Sequence, residues 1–333
     1  QFKDEEGREQ NNFEFFRTAF PATYTPTTAT FTGGRATVEY RYYLQEHNIT
    51  NIAFEGKNTL GVGGTTLDYT IAAGNAEKQT PDRQDWEFRS SANLTSSIDT
   101  SKEYWTVNHP TNWTNAATFP FRRVRFRRDS ETEDNMTAQM NLKQEREMFG
   151  HDGFWQIGVK HFSREKIWDR TNTDWGAGSG ALAFNLSQFN LSSPAHEMFG
   201  GTVPMSPQID LQNAQAFFAA NPQYFIANAA GTLVNSYVTD FGIEESVSAG
   251  YVMGKVDFKT WSVLAGVRVE SNKGEVEQVE LANSLPPRTK RFEKTITNVL
   301  PGIHFKFEPA KKWLIRASWT NTLGRPNYPD MAA

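Results

Sequence analysis

The feature that most constrains this chain is a period of two that recurs in paired segments. In TNVLPGIHFKFEPAKKWLIRASWTNTLGRPNY, from Thr297 to Tyr328, one alternate row holds Val299, Ile303, Phe305 and Phe307. A second row holds Trp313, Ile315, Ala317 and Trp319, and the opposite faces carry His304, Lys306, Glu308, Arg316, Ser318 and Thr320. Alternate side chains of a strand point to opposite faces, so this reads as a hairpin with one greasy and one charged face. A protein core and a lipid phase would both accept the greasy face.

The same period appears at Leu67, Tyr69, Ile71 and Ala73, at Met136, Ala138, Met140 and Leu142, and at Trp155, Ile157 and Val159. It appears again at Val247, Ala249, Tyr251 and Met253, and at Trp261, Val263, Ala265, Val267 and Val269. Short breaks join the segments in pairs, and Gly, Pro, Asp and Asn supply their turn dihedrals. Long polar and aromatic stretches separate the pairs, with one amphipathic helix expected over Ile209 to Phe225 and ended near Pro222. Short turns alternating with long loops count against a compact soluble domain and suit an outer-membrane barrel.

Composition agrees with that contrast. Hydrophobic residues are only 38% and mean hydropathy is -0.60, and no apolar run approaches the roughly 18 residues of a membrane helix. A barrel strand needs only every second residue apolar. Aromatics are 13% of the chain, and Trp155, Trp261 and Trp313 each open a strand just after a short turn, as an interfacial girdle would. The opposite row is small (Gly158, Ser246, Ser248, Gly250, Gly254, Gly266), where a soluble sandwich would show Lys, Glu and Thr. Periodicity favours a membrane barrel over a sandwich and leaves both open.

The segment SVLAGVRVES, followed by NVLPGIHFKFEPAKKWLIRASWTNTLGRPNYPDM, resembles the TonB-dependent outer-membrane receptors. The shared pattern is a strand ending in G-V-R-x-E, then L-P-x opening the next, a short turn, and R-A-S-x-T-x-x-R-P-N. FGIEESVSAGYVMGKVDF and LDYTIAAGNAEKQTPDRQDWEF resemble earlier strands of the family, so the likeness spans most of Arg41 to Met331. It is nearest the large-looped receptors of Xanthomonas- and Caulobacter-like bacteria. The resemblance implies an antiparallel transmembrane β-barrel in a Gram-negative outer membrane. It also implies import of a scarce nutrient of the siderophore, cobalamin or oligosaccharide class, driven through TonB. Expected partners are outer-membrane lipid and lipopolysaccharide, the TonB complex through a plug region, and a small-molecule or oligosaccharide ligand. The family's N-terminal plug, TonB box and terminal aromatic strand are not found. Residues 1–333 are therefore expected to be part of a single barrel domain, about eight strands of about 22. A passive porin-like barrel and a soluble secreted glycan-binding β-protein are the alternatives.

No enzyme is expected. The six histidines are scattered, and no H-E-x-x-H, P-loop or G-x-S-x-G occurs. Gly176 to Ala181 is glycine-rich but follows no strand leading into a helix. No cofactor and no metal site are expected, and the net charge of -4 does not point to nucleic acid. FRRVRFRRDSETEDN, from Phe121 to Asn135, carries five arginines and then four acids. The arginines read as a contact for lipopolysaccharide phosphates or an anionic ligand, since arginine forks suit phosphate, or, as the favoured reading, as a cross-strand ion ladder. Arg268, Glu270 and Arg316 should face the barrel interior, as substrate or plug contacts or, preferentially, as wall-stiffening ion pairs. Trp105, Trp113 and Trp175 lie in outer loops, where they would stack on sugar rings or pack the loops together.

Overall fold

The computed structural model describes residues 2–15, 21–61, 63–90, 94–103, 105–108, 114–189, 197–198, 203–204, 207–281 and 288–324. The chain runs through β1 (Phe2–Phe15), β2 (Pro21–Tyr24), β3 (Thr28–Leu60), β4 (Thr65–Arg89), β5 (Leu94–Asp99) and β6 (Thr106–Asn108). It continues through β7 (Phe121–Met148), β8 (His151–Ala177), β9 (Glu197–Met198), β10 (Val203–Pro204), α1 (Leu211–Ala220), β11 (Phe225–Ala227) and α2 (Ala229–Tyr237). β12 (Phe241–Asp257), β13 (Trp261–Glu280), β14 (Arg288–Ala310) and β15 (Trp313–Thr320) complete it. One antiparallel sheet runs β15-β14-β13-β12-β8-β7-β4-β3-β5-β6, with β1 and β2 on β3 and β11 on β8. The sheet does not close on itself among the described residues.

Each expected hairpin is present. β7 and β8 meet at Phe149 and Gly150, both at positive φ (56° and 76°). A two-residue hairpin loop of the type that matches strand twist requires this. Glycine accepts it freely; Phe149 does so at a cost of about 1 kcal/mol.

The strands are longer than the periodicity suggested. β3 has 33 residues, β7 28 and β8 27, whereas crossing a bilayer takes about 9–11. Much of what reads as loop between Lys78 and Met136 is therefore strand, continuing to Arg89 and resuming at Phe121. The helix expected over 209–225 is confined to α1 and followed by a short 3-10 turn at Pro222–Tyr224. The second helix, α2, was not anticipated.

Cross-strand register fixes which rows share a face. Ile52, Ala73 and Met136 align, as do Met140 and Val159, and Val263 and Phe305. This apolar row stands in the open: Ile52 is 72% exposed and Val299 61%. β12 departs from the expectation. Val252 pairs with Val267 and Ile157, while Tyr251 pairs with Arg268 and Gly158. The row Val247, Ala249, Tyr251 and Met253 therefore lies on the polar face, and Gly250, Val252, Gly254 and Val256 continue the apolar one.

In the upper half of the long strands the apolar row is covered. Val38, Trp86, Phe88, Val124 and Phe121 are buried, with Phe184, Leu186, Phe189 and Phe225 from the 178–240 segment laid over them. Phe217 and Phe218 of α1 pack onto the same cluster, and Phe121 stacks on Phe184 at 4.5 Å. α1 is held there by Asp210, whose side chain caps it by accepting from the Asn213 N–H.

The edge of β8 is occupied along its length. β12 pairs with it up to Trp168, and β11 pairs with it from Trp175 to Ala177. Between them stands α2. The Asp240 carboxylate accepts from the Arg170 N–H at 2.9 Å, Ser236 Oγ from Asn172 N–H at 3.0 Å, and Thr232 Oγ1 from Asp174 N–H at 2.9 Å. Side chains four residues apart thus satisfy alternate N–H groups that a strand would otherwise leave bare.

Candidate functional site

The polar face carries the chain's chemistry at two levels. Near the short turns, four strands share one chain of hydrogen bonds. Asn141 Nδ2 on β7 donates to Asp68 Oδ1 on β4 at 2.6 Å, and the Tyr251 hydroxyl on β12 donates to Asn141 Oδ1 at 2.6 Å. Gln156 Nε2 on β8 donates to the Tyr251 oxygen at 2.6 Å. Glycine at 158 makes this possible, since a Cβ there would run into the Asn141 amide and the Tyr251 ring. Beside it, the Arg268 guanidinium donates to Glu270 Oε2 from Nε at 3.1 Å and Nη2 at 2.9 Å.

The upper level is an ion ladder. Arg41 Nε meets Asp85 Oδ1 at 2.8 Å, Arg125 Nε meets Asp174 Oδ1 at 3.2 Å, and Arg170 Nε meets Asp129 Oδ1 at 2.5 Å. Lys78 and Lys166 share Glu131 lower down. Alternation explains the layout: Val124 and Phe126 point to the aromatic cluster, and Arg123, Arg125 and Arg127 to the opposite face. A register shift opposite Glu87 and Phe88 inserts one extra residue, Arg122, and turns it to the side of Arg123.

Glu87 is the centre of this level. Its side chain is almost wholly buried, and Arg89 Nη2 lies 2.8 Å, Arg122 Nη1 2.5 Å and Arg123 Nε 2.5 Å from its oxygens. Burial alone would raise the carboxyl; the Arg123, Arg122 and Arg89 charges outweigh it and hold Glu87 below the ordinary carboxylate range.

Of the residues singled out in the sequence, Arg268 and Glu270 face the same side as Tyr251 and form an ion pair. Arg316 lies opposite Lys306 on the same face, and Lys306 pairs with Glu308 at 2.8 Å. Trp105 is 60% exposed. Trp175 packs edge-on against Phe218 of α1, with centroids 5.6 Å apart. Trp113 lies outside the described residues. Tyr251, Asn141 and Glu87 are not among the residues singled out in the sequence, whereas Arg122 and Arg123 belong to its arginine run. The tyrosine hydroxyl was the available signal for the first. Among the described residues no group of three or more His, Asp or Glu is arranged to hold a metal.

The family model for the TonB dependent receptor-like β-barrel matches residues 4–333. The chain belongs to this family. The family is one of outer-membrane transport receptors of Gram-negative bacteria. The exposed apolar row is then the lipid-facing band, and the polar face is the barrel interior. Among solved structures, the ferric citrate transporter FecA in its unliganded form shares 11% identity at a TM-score of 0.35, over 95% of this chain and 44% of that one. The ferric-catecholate import receptor Fiu from E. coli K12 shares 9% at a TM-score of 0.39, over 96% and 49%. The chain thus spans under half the length of either. No curated protein matches.

Proposed function

We propose that residues 1–333 form part of the barrel wall and outer loops of an active importer, a large-looped receptor whose plug and remaining strands lie outside this chain. It takes a scarce nutrient of the siderophore, cobalamin or oligosaccharide class across the outer membrane, and TonB supplies the energy. Family membership over 4–333 carries this reading. The two-faced sheet supports it, with an apolar row outward and a hydrogen-bonded polar wall inward. On that wall Arg268, Glu270 and Arg316 meet plug or solute, while exposed Trp105 serves the outer loops. The test is uptake in cells carrying the complete gene. Accumulation of labelled solute should need both the gene and TonB. Uptake that persists without TonB would make the barrel a passive porin, and a native protein that fractionates as soluble would end the membrane reading altogether.

A further inference from the structure

Three arginines converge on one carboxylate at Glu87, and the geometry of that convergence leaves binding capacity unused. Each guanidinium carries five N–H donors, whereas a carboxylate offers about four acceptor positions. Glu87 carries a single negative charge and cannot neutralise both Arg122 and Arg123. The neighbouring acids are engaged elsewhere: Glu39, directly opposite Glu87 on β3, with Arg41, Asp85 with Arg41 and Arg83, and Asp174 with Arg125. The Arg122 and Arg123 side chains remain 37% and 35% exposed, so their free donors are reachable from outside.

The placement is built, not incidental. The extra residue in β7 brings two consecutive arginines to one face, which regular alternation forbids. On the other face Phe121 and Val124 are buried in the aromatic cluster, which fixes the backbone beneath both arginines. Glu87 holds the guanidinium groups in place before any ligand arrives, so less ordering remains to be done on binding.

We propose that Arg122 and Arg123 form an anion-binding site, with Glu87 as its internal counter-ion and Arg89 helping to hold Glu87 in place. The ligand is a small soluble anion bearing carboxylate or phosphate groups, which suit paired guanidinium forks. Phosphates of the lipid surface offer the same chemistry, but height argues against them. β4 climbs 25 residues from its turn, roughly 80 Å of contour at about 3.3 Å per residue. The hydrocarbon core is only about 30 Å thick, and a tilt of about 40° still leaves the site far above it. The inference rests on the polar face being the solute-facing wall, and it narrows the imported solute to an anion.

The test is titration calorimetry on the full-length receptor in lipopolysaccharide-free detergent micelles. The probes are tricarballylate and inorganic pyrophosphate, with maltotriose as neutral control. Both anions should bind and the trisaccharide should not. Arg122→Gln should weaken anion binding about tenfold, the worth of one charge-assisted hydrogen bond. Glu87→Gln should strengthen it by a similar factor, because it removes the internal competitor; purely structural arginines would not do this. Should Glu87→Gln fail to fold, Arg122→Gln with Arg123→Gln decides alone. Absence of anion binding, affinity indifferent to these arginines, or saturation only after lipopolysaccharide is added would each overturn the site. Binding needs neither TonB nor import. Failure here with TonB-dependent uptake intact would therefore sink the anion site and leave the transport reading standing.

Discussion

The lower and upper halves of the long strands keep one apolar face, β4 by way of an extra residue between Thr80 and Arg83, and solve different problems. Near the turns the apolar row is bare, as at Ile71 on β4 and Met136 and Met140 on β7, and it waits for lipid. Some ten residues higher on the same strands, Trp86, Phe88 and Val124 are fully buried by aromatic residues from the 178–240 segment. Alternation therefore reports that one face is apolar and not what covers it. Below, the bilayer is the missing half of the core; above, the protein supplies that half itself.

The largest break in this contrast should come from Trp86→Ala. Four aromatic partners surround Trp86, and losing such a side chain costs about 3–5 kcal/mol. Hydrogen exchange on the full receptor should show residues 84–89 and 211–227 deprotected while 261–271 stay unchanged. Val267→Lys should do the reverse. It costs about 2–4 kcal/mol near the bilayer midplane, read as reduced assembly into liposomes with the upper cluster intact. Gly158→Ala should cost about 1–3 kcal/mol through overpacking against Asn141 and Tyr251, seen as a lower midpoint of chemical unfolding.

The smallest effect sharpens the comparison through pH. Burial first, with the Asp169 and Asp129 charges, pushes Asp240 up to about 6, against the pull of the Arg170 N–H and guanidinium. An acid raised on docking stabilises the docked state fully below the ordinary carboxylate range and loses that stabilisation as pH rises through about 6. Protection of the amides at 170–174, corrected for intrinsic exchange, should therefore fall from about pH 4 to just above about 6 and level off beyond. Asp240→Asn should flatten that profile. Glu87 has the opposite sense, since its lowered value favours the folded state above the ordinary carboxylate range. A wild-type profile that stays flat would refute the assignment to Asp240.

Much of the lower half was legible in the sequence. The turns, the outward rows of β4, β7, β8, β13 and β14, and the inward Arg268 and Glu270 follow from period two and need no tertiary information. β12 misled because both its rows are weakly apolar. The bulkier one, with Tyr251 and Met253, looked like the lipid face, yet the register with Arg268 and Gly158 turns it inward. The upper half was obscure for a related reason. Strand residues such as Arg83, Asp85 and Glu87 alternate with Gln84 and Trp86, so a charged segment reads as loop until its partner strands are known. Arg122 was unreadable in principle, because a bulge is a property of two strands and leaves no mark on one. α2 lacks a strong apolar stripe; its defining residues are the polar Thr232 and Ser236, which matter only beside an open strand edge.

That cap on β8 works as a vernier. Four helical residues advance about 6.0 Å, while two strand residues advance about 6.6–6.8 Å. The two scales coincide well enough for the one helical step from Thr232 to Ser236. The third bond, from the Arg170 N–H to Asp240, comes from just past the end of α2 at Tyr237. Each further helical step would add roughly 0.6–0.8 Å of mismatch. A helix can guard an edge of this kind for only about one such stretch. Beyond the capped stretch of β8, from Arg170 to Asp174, strand pairing has to resume in both directions, and β12 and β11 stand there.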